Sequence, residues 1–241
     1  MATHDDITRL FSYYAPYESQ EFLCHWLKQQ YEKHPDFYQQ AATQSYNNTP
    51  VFHYEWMIGR SYWKEGLRAP LMIKPLLLFY GMTHLLKGII LLEDPVYPAS
   101  AEMLAHGVTT RKRKRKGYTF LEDEIKIQKK GFFPHFSNVL FHVEHAAGEK
   151  WKMKELLMKE DSLLALFQKI IETDNFPSLA NELPAVCTHY LLLYNLSMIS
   201  RYEGEWWGEL LSQQQSLDYP FIKSYLEAAG TTIPKLFQPY F

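Results

Sequence analysis

The sequence predicts a mainly α protein, a bundle-like single helical domain over residues 1–241 with a small β-hairpin insertion. Two apolar stretches, Leu71–Leu92 and Leu183–Tyr202, are each long enough for several helical turns. The first is apolar almost all round, which is typical of a helix buried on every side. We expect these two helices to pack against each other and to supply most of the core.

A change of hydrophobic period predicts the hairpin. Apolar and polar residues alternate within residues 118–127, most clearly at Ile125 and Ile127, and this is the period of a strand. Lys129–Gly131 is expected to form the turn, and Phe132–Phe136 the return strand. The predicted organisation is N-terminal helices over 1–70, a core helix over 71–93, a basic loop and hairpin over 106–136, and C-terminal helices over 150–230.

The composition excludes some classes of protein. Hydrophobic residues make up 46% of the chain, which is too many for an intrinsically disordered protein. The net charge of −2 provides no global attraction to nucleic acid, so any basic surface must be local. Cys24 and Cys187 are far apart in sequence and predict buried free thiols in a reducing compartment. The first residues lack the basic and apolar regions of a signal peptide, so a cytoplasmic protein is expected.

Two helices are predicted before the core helix. Ser19–His34 has apolar residues at helical spacing and is followed by Pro35. Asp36–Pro50 is polar and rich in Gln and Asn, which predicts a linker. Thr49 is then expected to cap a helix over Pro50–Leu67, with the proline near its first position.

The C-terminal part is predicted to be helical as well. Apolar residues return to helical spacing after Lys152. Phe221–Ala229 predicts a short helix that ends at Gly230. The residues from Ile233 onwards include two prolines and are expected to form a tail on the surface.

The core stretch is also long enough to cross a lipid bilayer. However, Lys74 and Lys87 interrupt it, and a lysine in the middle of a bilayer costs roughly 3 kcal/mol. We therefore favour the central helix of a soluble core, with no membrane as a partner.

Three polar side chains share one face of the core helix, namely Tyr80, His84 and Lys87. They could line a ligand pocket, in which an imidazole beside an ammonium group has a lowered pKa and acts as a base. The preferred interpretation is that they form a helix edge facing a hydrogen-bonded neighbour. Arg201, at the end of the second apolar helix, is expected to form a structural ion pair with a nearby carboxylate.

An unbroken basic run, RKRKRK, is the most distinctive segment of the chain. Clustered positive charge next to Gly117 and aromatic residues is typical of phosphate binding. A short charge run is also typical of a solvated loop, and both interpretations stay open. The predicted ligand-binding residues are Arg68, Tyr80, Lys87, Arg111, Lys112, Arg113, Lys114, Arg115 and Lys116.

His106 and Gly107 come just before this run. The glycine can take a positive φ and turn the chain sharply. His106 could face a cleft or pack at the end of a helix, and packing is preferred. His135, His142 and His145 suggest a metal, and the last two are close enough in sequence to share an ion, but no HExxH motif and no nearby Cys accompanies them. No metal and no cofactor is therefore expected.

Several segments together resemble the YaaC-like protein family. They are APLMIKPLLLFYGMTHLLKG, LAHGVTTRKRKRKGY, FLEDEIKIQKKGFFPHFS and HYLLLYNLSMISRYEGEWW. The resemblance extends from about Phe52 to Trp207. It implies a family but no particular activity, so the chemistry has to be inferred from the residues themselves.

The helix order is also similar to that of HEPN-type helical domains, at the level of the fold alone. Many such domains are ribonucleases with an Arg shortly before a His on one helix. None of the arginines here has a His at that spacing. The similarity therefore implies a helical scaffold with a dimerising or ligand-binding role, and no nuclease activity is carried over.

Three hypotheses of function follow from these observations. The first is a non-enzymatic module that binds a nucleic acid or a nucleotide through Arg111–Lys116. The second is an unorthodox nuclease or nucleotide-processing enzyme, with His84 or His106 as the general base. A third is a scaffold for a protein partner or a homodimer. Its aromatic surface would comprise Trp56, Trp63, Trp206 and Trp207.

Overall fold

The computed structural model of the protein describes residues 9–111, 117–171 and 183–241. Within these ranges the chain forms nine α-helices and one three-stranded sheet, which confirms the predicted mainly α fold with a small hairpin insertion. The helices are α1 Gln20–Tyr31, α2 Ala41–Arg68, α3 Lys74–Glu93, α4 Phe132–Phe141, α5 Met153–Leu157, α6 Asp161–Ile171, α7 Ala185–Tyr202, α8 Gly204–Gln213 and α9 Asp218–Phe237. The strands are β1 Val108–Thr110, β2 Glu124–Ile127 and β3 Lys150–Lys152. Short 3-10 helices span Ser12–Glu18, Tyr38–Gln40, Ala101–Leu104 and Gln238–Tyr240.

The first predicted helix is present as α1. The Ser19 side chain accepts a hydrogen bond from the backbone N–H of Phe22, which satisfies one of the free donors of the first turn. Leu23, Leu27 and Tyr31 follow at intervals of four residues and are fully buried. The apolar stripe therefore faces α2 and the core.

The predicted linker over Asp36–Pro50 is wrong from Ala41 onwards, because α2 begins there and Pro50 lies inside it. The buried polar residues of this helical segment, Ser45, Asn48 and Thr49, hydrogen-bond within the helix or to its neighbours. Thr49 donates to the Ser45 carbonyl, so it is a helical residue and not a cap. Asn48 donates to the Tyr31 hydroxyl and to the Pro95 carbonyl. Composition alone indicated a loop, whereas one face of the segment is buried.

The two long apolar helices form the centre of the molecule, as predicted, and are now α3 and α7. They contact each other, and α3 also packs along most of α2. Among the described residues, α3 is long and apolar enough to cross a membrane. However, 72% of its most apolar 18-residue stretch is buried inside the protein. That burial is what a core helix requires.

Small residues bring α2 and α3 close together. A Cβ atom added to Gly88 would overlap the indole ring of Trp56, and one added to Gly81 would lie 3.1 Å from Trp63. In the other direction, a Cβ on Gly59 would lie 2.9 Å from the Leu85 side chain. Gly81 and Gly88 therefore allow α3 to approach α2 closely.

The sheet has the order β1–β2–β3 and is antiparallel throughout. The predicted strand around Ile125 and Ile127 is β2, and both side chains are fully buried. Its hairpin partner is β1, in which Val108 pairs with Ile127. The predicted return strand Phe132–Phe136 is wrong, because these residues begin α4. Their rings are spaced for a helix face, and a proline in the first helical turn is tolerated.

The C-terminal part is more helical than predicted. The predicted helix Phe221–Ala229 extends to Asp218–Phe237 as α9, so Gly230 does not end it. Gly230 instead lies where its carbonyl accepts a hydrogen bond from the Trp63 indole, at 3.0 Å. The predicted surface tail is also wrong, since Ile233 and Phe237 are fully buried.

The proposed tryptophan surface is not a surface. Trp56, Trp63 and Trp207 are fully buried, and Trp206 packs edge-on against Tyr118. The indole of Trp207 donates to the Met72 carbonyl at 3.0 Å. Trp56, Trp63 and Trp207 therefore stabilise the core and are not available to a protein partner.

Candidate functional site

The polar face of α3 is built against a carboxylate from α2. The Glu55 carboxylate lies 2.5 Å from Nδ1 of His84 and 3.9 Å from Nζ of Lys87. All three side chains are about one-fifth to one-quarter exposed. The preferred interpretation from sequence, a helix edge facing a hydrogen-bonded neighbour, describes His84 in this arrangement.

Aromatic rings and a guanidinium group extend this face towards α7. The Tyr62 ring stacks on the His84 ring, with centroids 5.7 Å apart, and it also contacts Tyr80. Arg201, near the end of α7, donates to the Tyr80 hydroxyl at 3.4 Å. Its guanidinium carbon lies 5.9 Å from the Tyr80 ring centroid and 5.2 Å from that of Tyr202. A cation placed beside aromatic rings in this way is stabilised by their electron-rich faces.

His106 is held beside this face by its own backbone. Its carbonyl accepts hydrogen bonds from the Phe133 N–H at the start of α4 and from the Tyr190 hydroxyl, both at 3.1 Å. Gly107 follows with φ of 77°, as its sequence position predicted, and turns the chain into β1. The imidazole ring packs against Phe79 and Tyr194. His106 thus has the predicted packing role, while remaining partly exposed.

The surroundings of His106 favour its neutral form. Burial lowers the pKa of His106 below its usual range, and the positive charges of Arg201 and Lys87 lower it further. Lys87 and Arg201 both lie on the face that α3 presents, where Lys87 approaches Glu55 and Arg201 bonds to Tyr80, although they are more than a hundred residues apart in sequence.

We call this group of residues the α3 polar site. It consists of Glu55, Tyr62, Tyr80, His84, Lys87, His106 and Arg201. It contains two permanent cations, one carboxylate and two imidazoles, with aromatic rings around them. Such a group can pair with an anion or, through His106, accept a proton.

The structure brings some of the predicted site residues together and not others. Tyr80, His84, Lys87 and His106 meet in the α3 polar site. Arg68 lies at the end of α2, with Nη1 4.0 Å from a carboxylate oxygen of Glu65. No contact within the described residues joins it to the site.

Arg111 lies at a separate place, just after β1. It is exposed and lines a shallow cleft with acidic residues and Lys152. The hydrogen bond from Lys150 lowers the pKa of Glu124, and the charges of Lys150, Lys152 and Arg111 lower it further. The other predicted residues of the run, Lys112, Arg113, Lys114, Arg115 and Lys116, lie outside the described residues.

Arg201 and Glu55 are site residues that the sequence did not reveal. Arg201 was expected to serve only in a structural ion pair, yet it reaches Tyr80 on α3. Glu55 falls among bulky aromatic residues of α2 and has no distinguishing neighbours in sequence. A polar residue on the helix face that packs against α3 would have been the available signal, but the pairing of α2 with α3 was not predicted.

The histidines considered for a metal are used in separate contacts. His135 lies 2.9 Å from Asp94, whereas His145 lies between Ser137 and Glu149. Within the described residues, no group of three or more His, Cys, Asp or Glu side chains could hold a metal ion.

Ser137, His145 and Glu149 have the spacing of a serine nucleophile with its base and orienting carboxylate. The hydroxyl lies 2.9 Å from Nε2 of His145, and Nδ1 lies 3.2 Å from Glu149. However, Ser137 is fully buried, and the buried Cys187 thiol donates to its oxygen at 3.5 Å. The Ser137 hydroxyl is already engaged by His145 and Cys187 inside the core, so we interpret the group as a structural hydrogen-bond network.

Comparison with known proteins gives one match. A family model described as YaaC-like Protein matches residues 15–182 and 172–241. No curated protein and no solved structure matches the chain.

Proposed function

The chain belongs to the YaaC-like family, and we propose that it is a non-enzymatic helical module of the cytoplasm that binds an anionic partner, a nucleic acid or a nucleotide. The binding residues would be those of the basic run Arg111–Lys116, with the α3 polar site as a second point of contact. No membrane is part of this proposal.

The observation that carries the proposal is the presence of two cations, Lys87 and Arg201, on the same polar face of α3. Both side chains are partly exposed, and the single carboxylate of the site, Glu55, lies 3.9 Å from Lys87 and is already engaged by His84. The site therefore keeps an excess of positive charge. A phosphate group supplies the opposite charge together with several acceptor oxygens.

The basic run supports the same class of partner. Residues 111–116 belong to the connection between β1 and β2, and all six of them are Arg or Lys. Arg111, the residue of the run that the structure describes, is exposed. Clustered cations next to aromatic residues bind single strands through phosphate contacts and base stacking.

A salt titration of RNA binding tests the proposal. The probe is a fluorescently labelled single-stranded RNA, and the readout is anisotropy. We expect affinity to fall steeply as salt rises, because each phosphate contact releases a counterion. The triple variant Arg111→Gln, Arg113→Gln, Arg115→Gln should bind about tenfold or more weakly at low salt and have a shallower salt dependence.

The matched control carries the same change of charge elsewhere. Lys169, Lys223 and Lys235 are exposed on α6 and α9, and replacing all three with Gln should leave affinity nearly unchanged. Equal weakening in both triple variants would mean that only overall charge matters. Binding that is insensitive to salt would contradict a phosphate partner.

A degenerate or unorthodox HEPN-like enzyme is the second candidate, and one observation favours it. His106 is partly exposed, and its lowered pKa keeps it neutral near pH 7, as a general base must be. His84 is the other candidate base, but Glu55 occupies its Nδ1. The RNA samples from the salt titration should therefore also be analysed on a gel, which detects cleavage. Cleavage lost in His106→Ala, and kept in the exposed control His25→Ala, would favour this candidate.

A protein scaffold or homodimer is the third candidate. Three tryptophans of its predicted surface are buried, but α2 exposes other apolar side chains. They are Tyr46, Val51, Tyr54, Met57, Ile58 and Tyr62. An exposed apolar surface of this kind is typical of interaction sites. Concentration-dependent molar mass in light scattering would favour self-association over RNA binding.

A further inference from the structure

A cleft of about 430 Å³ lies between the segment Ser12–Glu18 and α2. We propose that this cleft binds a small organic anion that carries an aromatic ring, such as a nucleoside monophosphate. The cleft is separate from the α3 polar site, so the proposal does not depend on the function proposed above. Its volume is within the range of pockets that bury small ligands.

Two side chains that line the cleft have buried polar atoms without a partner. They are the hydroxyl of Tyr14, whose side chain is 1% exposed, and Nδ1 of His53. Neither atom has a hydrogen-bond partner within the described residues. Buried polar atoms are nearly always paired in folded proteins, so two exceptions at one cleft indicate a missing partner. A ligand oxygen or hydroxyl can supply it.

The charges at the cleft favour an anion. Arg60 and Lys64 both line it, one turn apart on α2. Arg60 pairs with Glu18 at 2.7 Å and lies 5.0 Å over the Tyr14 ring. Lys64 has no ion-pair partner within the described residues. The cleft therefore has one cation in excess, and an Arg and a Lys on adjacent turns are placed to share one phosphate or carboxylate.

The remaining wall of the cleft is apolar. Phe11 and Met57 contribute to it, and Met57 is 48% exposed while its flexible side chain can adapt to a flat ring. An anion without an apolar group would leave this wall in contact with water. The combination of two cations with an apolar wall therefore favours a ligand that has both an anionic group and a ring.

The cleft and the α3 polar site are on opposite sides of α2. Each residue of an α-helix is rotated by about 100° from the one before it. The cleft residues His53, Met57 and Lys64 consequently share one side of α2. Glu55 and Tyr62 share the other side, where they contact α3. Variants can therefore affect one site without touching the other.

The experiment is titration calorimetry of the full chain with three probes. They are adenosine monophosphate, adenosine without the phosphate, and ribose phosphate without the base. We expect the first to bind at least tenfold more tightly than either of the others. Lys64→Gln should weaken its binding by about tenfold, and the matched control Lys223→Gln, on the exposed face of α9, should not change it.

Tyr14→Phe separates a ligand-binding role from a structural one. The hydroxyl has no partner to lose, so the ligand-free variant should melt no lower than the wild type. If the hydroxyl serves the ligand, the variant should bind adenosine monophosphate about three- to tenfold more weakly. The proposal is overturned if affinity is unchanged in both Tyr14→Phe and Lys64→Gln. It is also overturned if binding is lost in Lys87→Gln instead, which would place the ligand at the α3 polar site.

Discussion

Glu160 and His189 form a buried acid–base pair at the start of α6, with 3.4 Å between Oε1 and Nε2. Burial raises the pKa of Glu160 from 4.5 to about 7, and the neighbouring Asp161 adds to this increase. Burial lowers the pKa of His189 to about 3. Near neutral pH the imidazole is therefore uncharged, and the carboxyl group is close to its midpoint.

Glu160→Gln should stabilise the protein above pH 7. A carboxyl group whose pKa is higher in the folded state binds its proton more tightly there, so stability is lost as pH rises from 4.5 to about 7. Glutamine removes this loss and keeps a hydrogen-bonding group. We expect a gain in the free energy of unfolding of up to about 3 kcal/mol at pH 8, and none below pH 4.5.

Urea unfolding of both proteins between pH 4 and pH 9 measures this difference. His189 is present in both, so its own contribution, which is lost as pH falls below 6.5, largely cancels. Glu209→Gln on the exposed side of α8 is the control, with an unchanged pH profile. Parallel profiles for Glu160→Gln and the wild type would show that Glu160 ionises normally in the fold.

For single residues, the sequence predicts which side chains share a face of one helix. It does not predict which side chains from other helices reach that face. Helical spacing alone placed Tyr80, His84 and Lys87 on one face. Arg201 and Glu55 reach the same face from α7 and α2. Nothing in their local sequence specifies these neighbours, because the contacts depend on which helices pack together.

The packing of α2 against α3 depends on glycines, and Gly88 is the sharpest case. Its hydrogen faces the indole of Trp56, which is fully buried and stacked between Tyr14 and Phe52. We expect Gly88→Ala to destabilise the protein by about 1–3 kcal/mol, because the added methyl group overlaps a ring that has no room to move. Thermal unfolding measures the change.

Gly208→Ala is the matched control on α8, where a Cβ meets nothing within 4 Å. Alanine is the better helix former, so this variant should be neutral or up to about 1 kcal/mol more stable. If both alanine variants raised the melting temperature, the close approach of α2 and α3 would not limit stability.

The elements that the sequence predicted well are those with one strong apolar pattern, α1, α3 and α7. The secondary structure of two segments was predicted wrongly, in each case for a physical reason. Residues 41–50 look like a loop because they are polar, but Ser45 and Thr49 hydrogen-bond to carbonyls of their own helix. Phe132–Phe136 looks like a strand because it follows a turn, but the first N–H groups of α4 are satisfied by Ala105 and His106. Both partners lie outside the segment, so the sequence of the segment does not indicate them.

On the scale of the whole molecule, both ends of the described chain meet in an aromatic cluster around Trp56. The Phe241 ring contacts Trp56 at 4.6 Å and stacks on Trp26 at 5.6 Å. The Tyr17 hydroxyl donates to the Phe241 carbonyl at 2.8 Å. The last residue therefore joins the segment Ser12–Glu18 to α1 and α2.

Phe241→Ala should destabilise the protein by about 1–3 kcal/mol, which is less than for a fully buried ring because Phe241 is partly exposed. The loss should be seen as a lower urea midpoint with an unchanged slope. Leu217→Ala is the control, since Leu217 is 60% exposed and should tolerate truncation. Equal midpoints for Phe241→Ala and the wild type would mean that the cluster closes without this ring.

These long-range contacts also affect how the protein is made. Tyr13 donates to the Pro234 carbonyl and Tyr17 to that of Phe241, which joins residues more than two hundred positions apart. While the ribosome is still translating the last helix, Trp26, Phe52 and Trp56 lack their final neighbours. The nascent chain therefore exposes these aromatic rings until Phe241 has been synthesised, and exposed apolar surface of this kind is what chaperones protect.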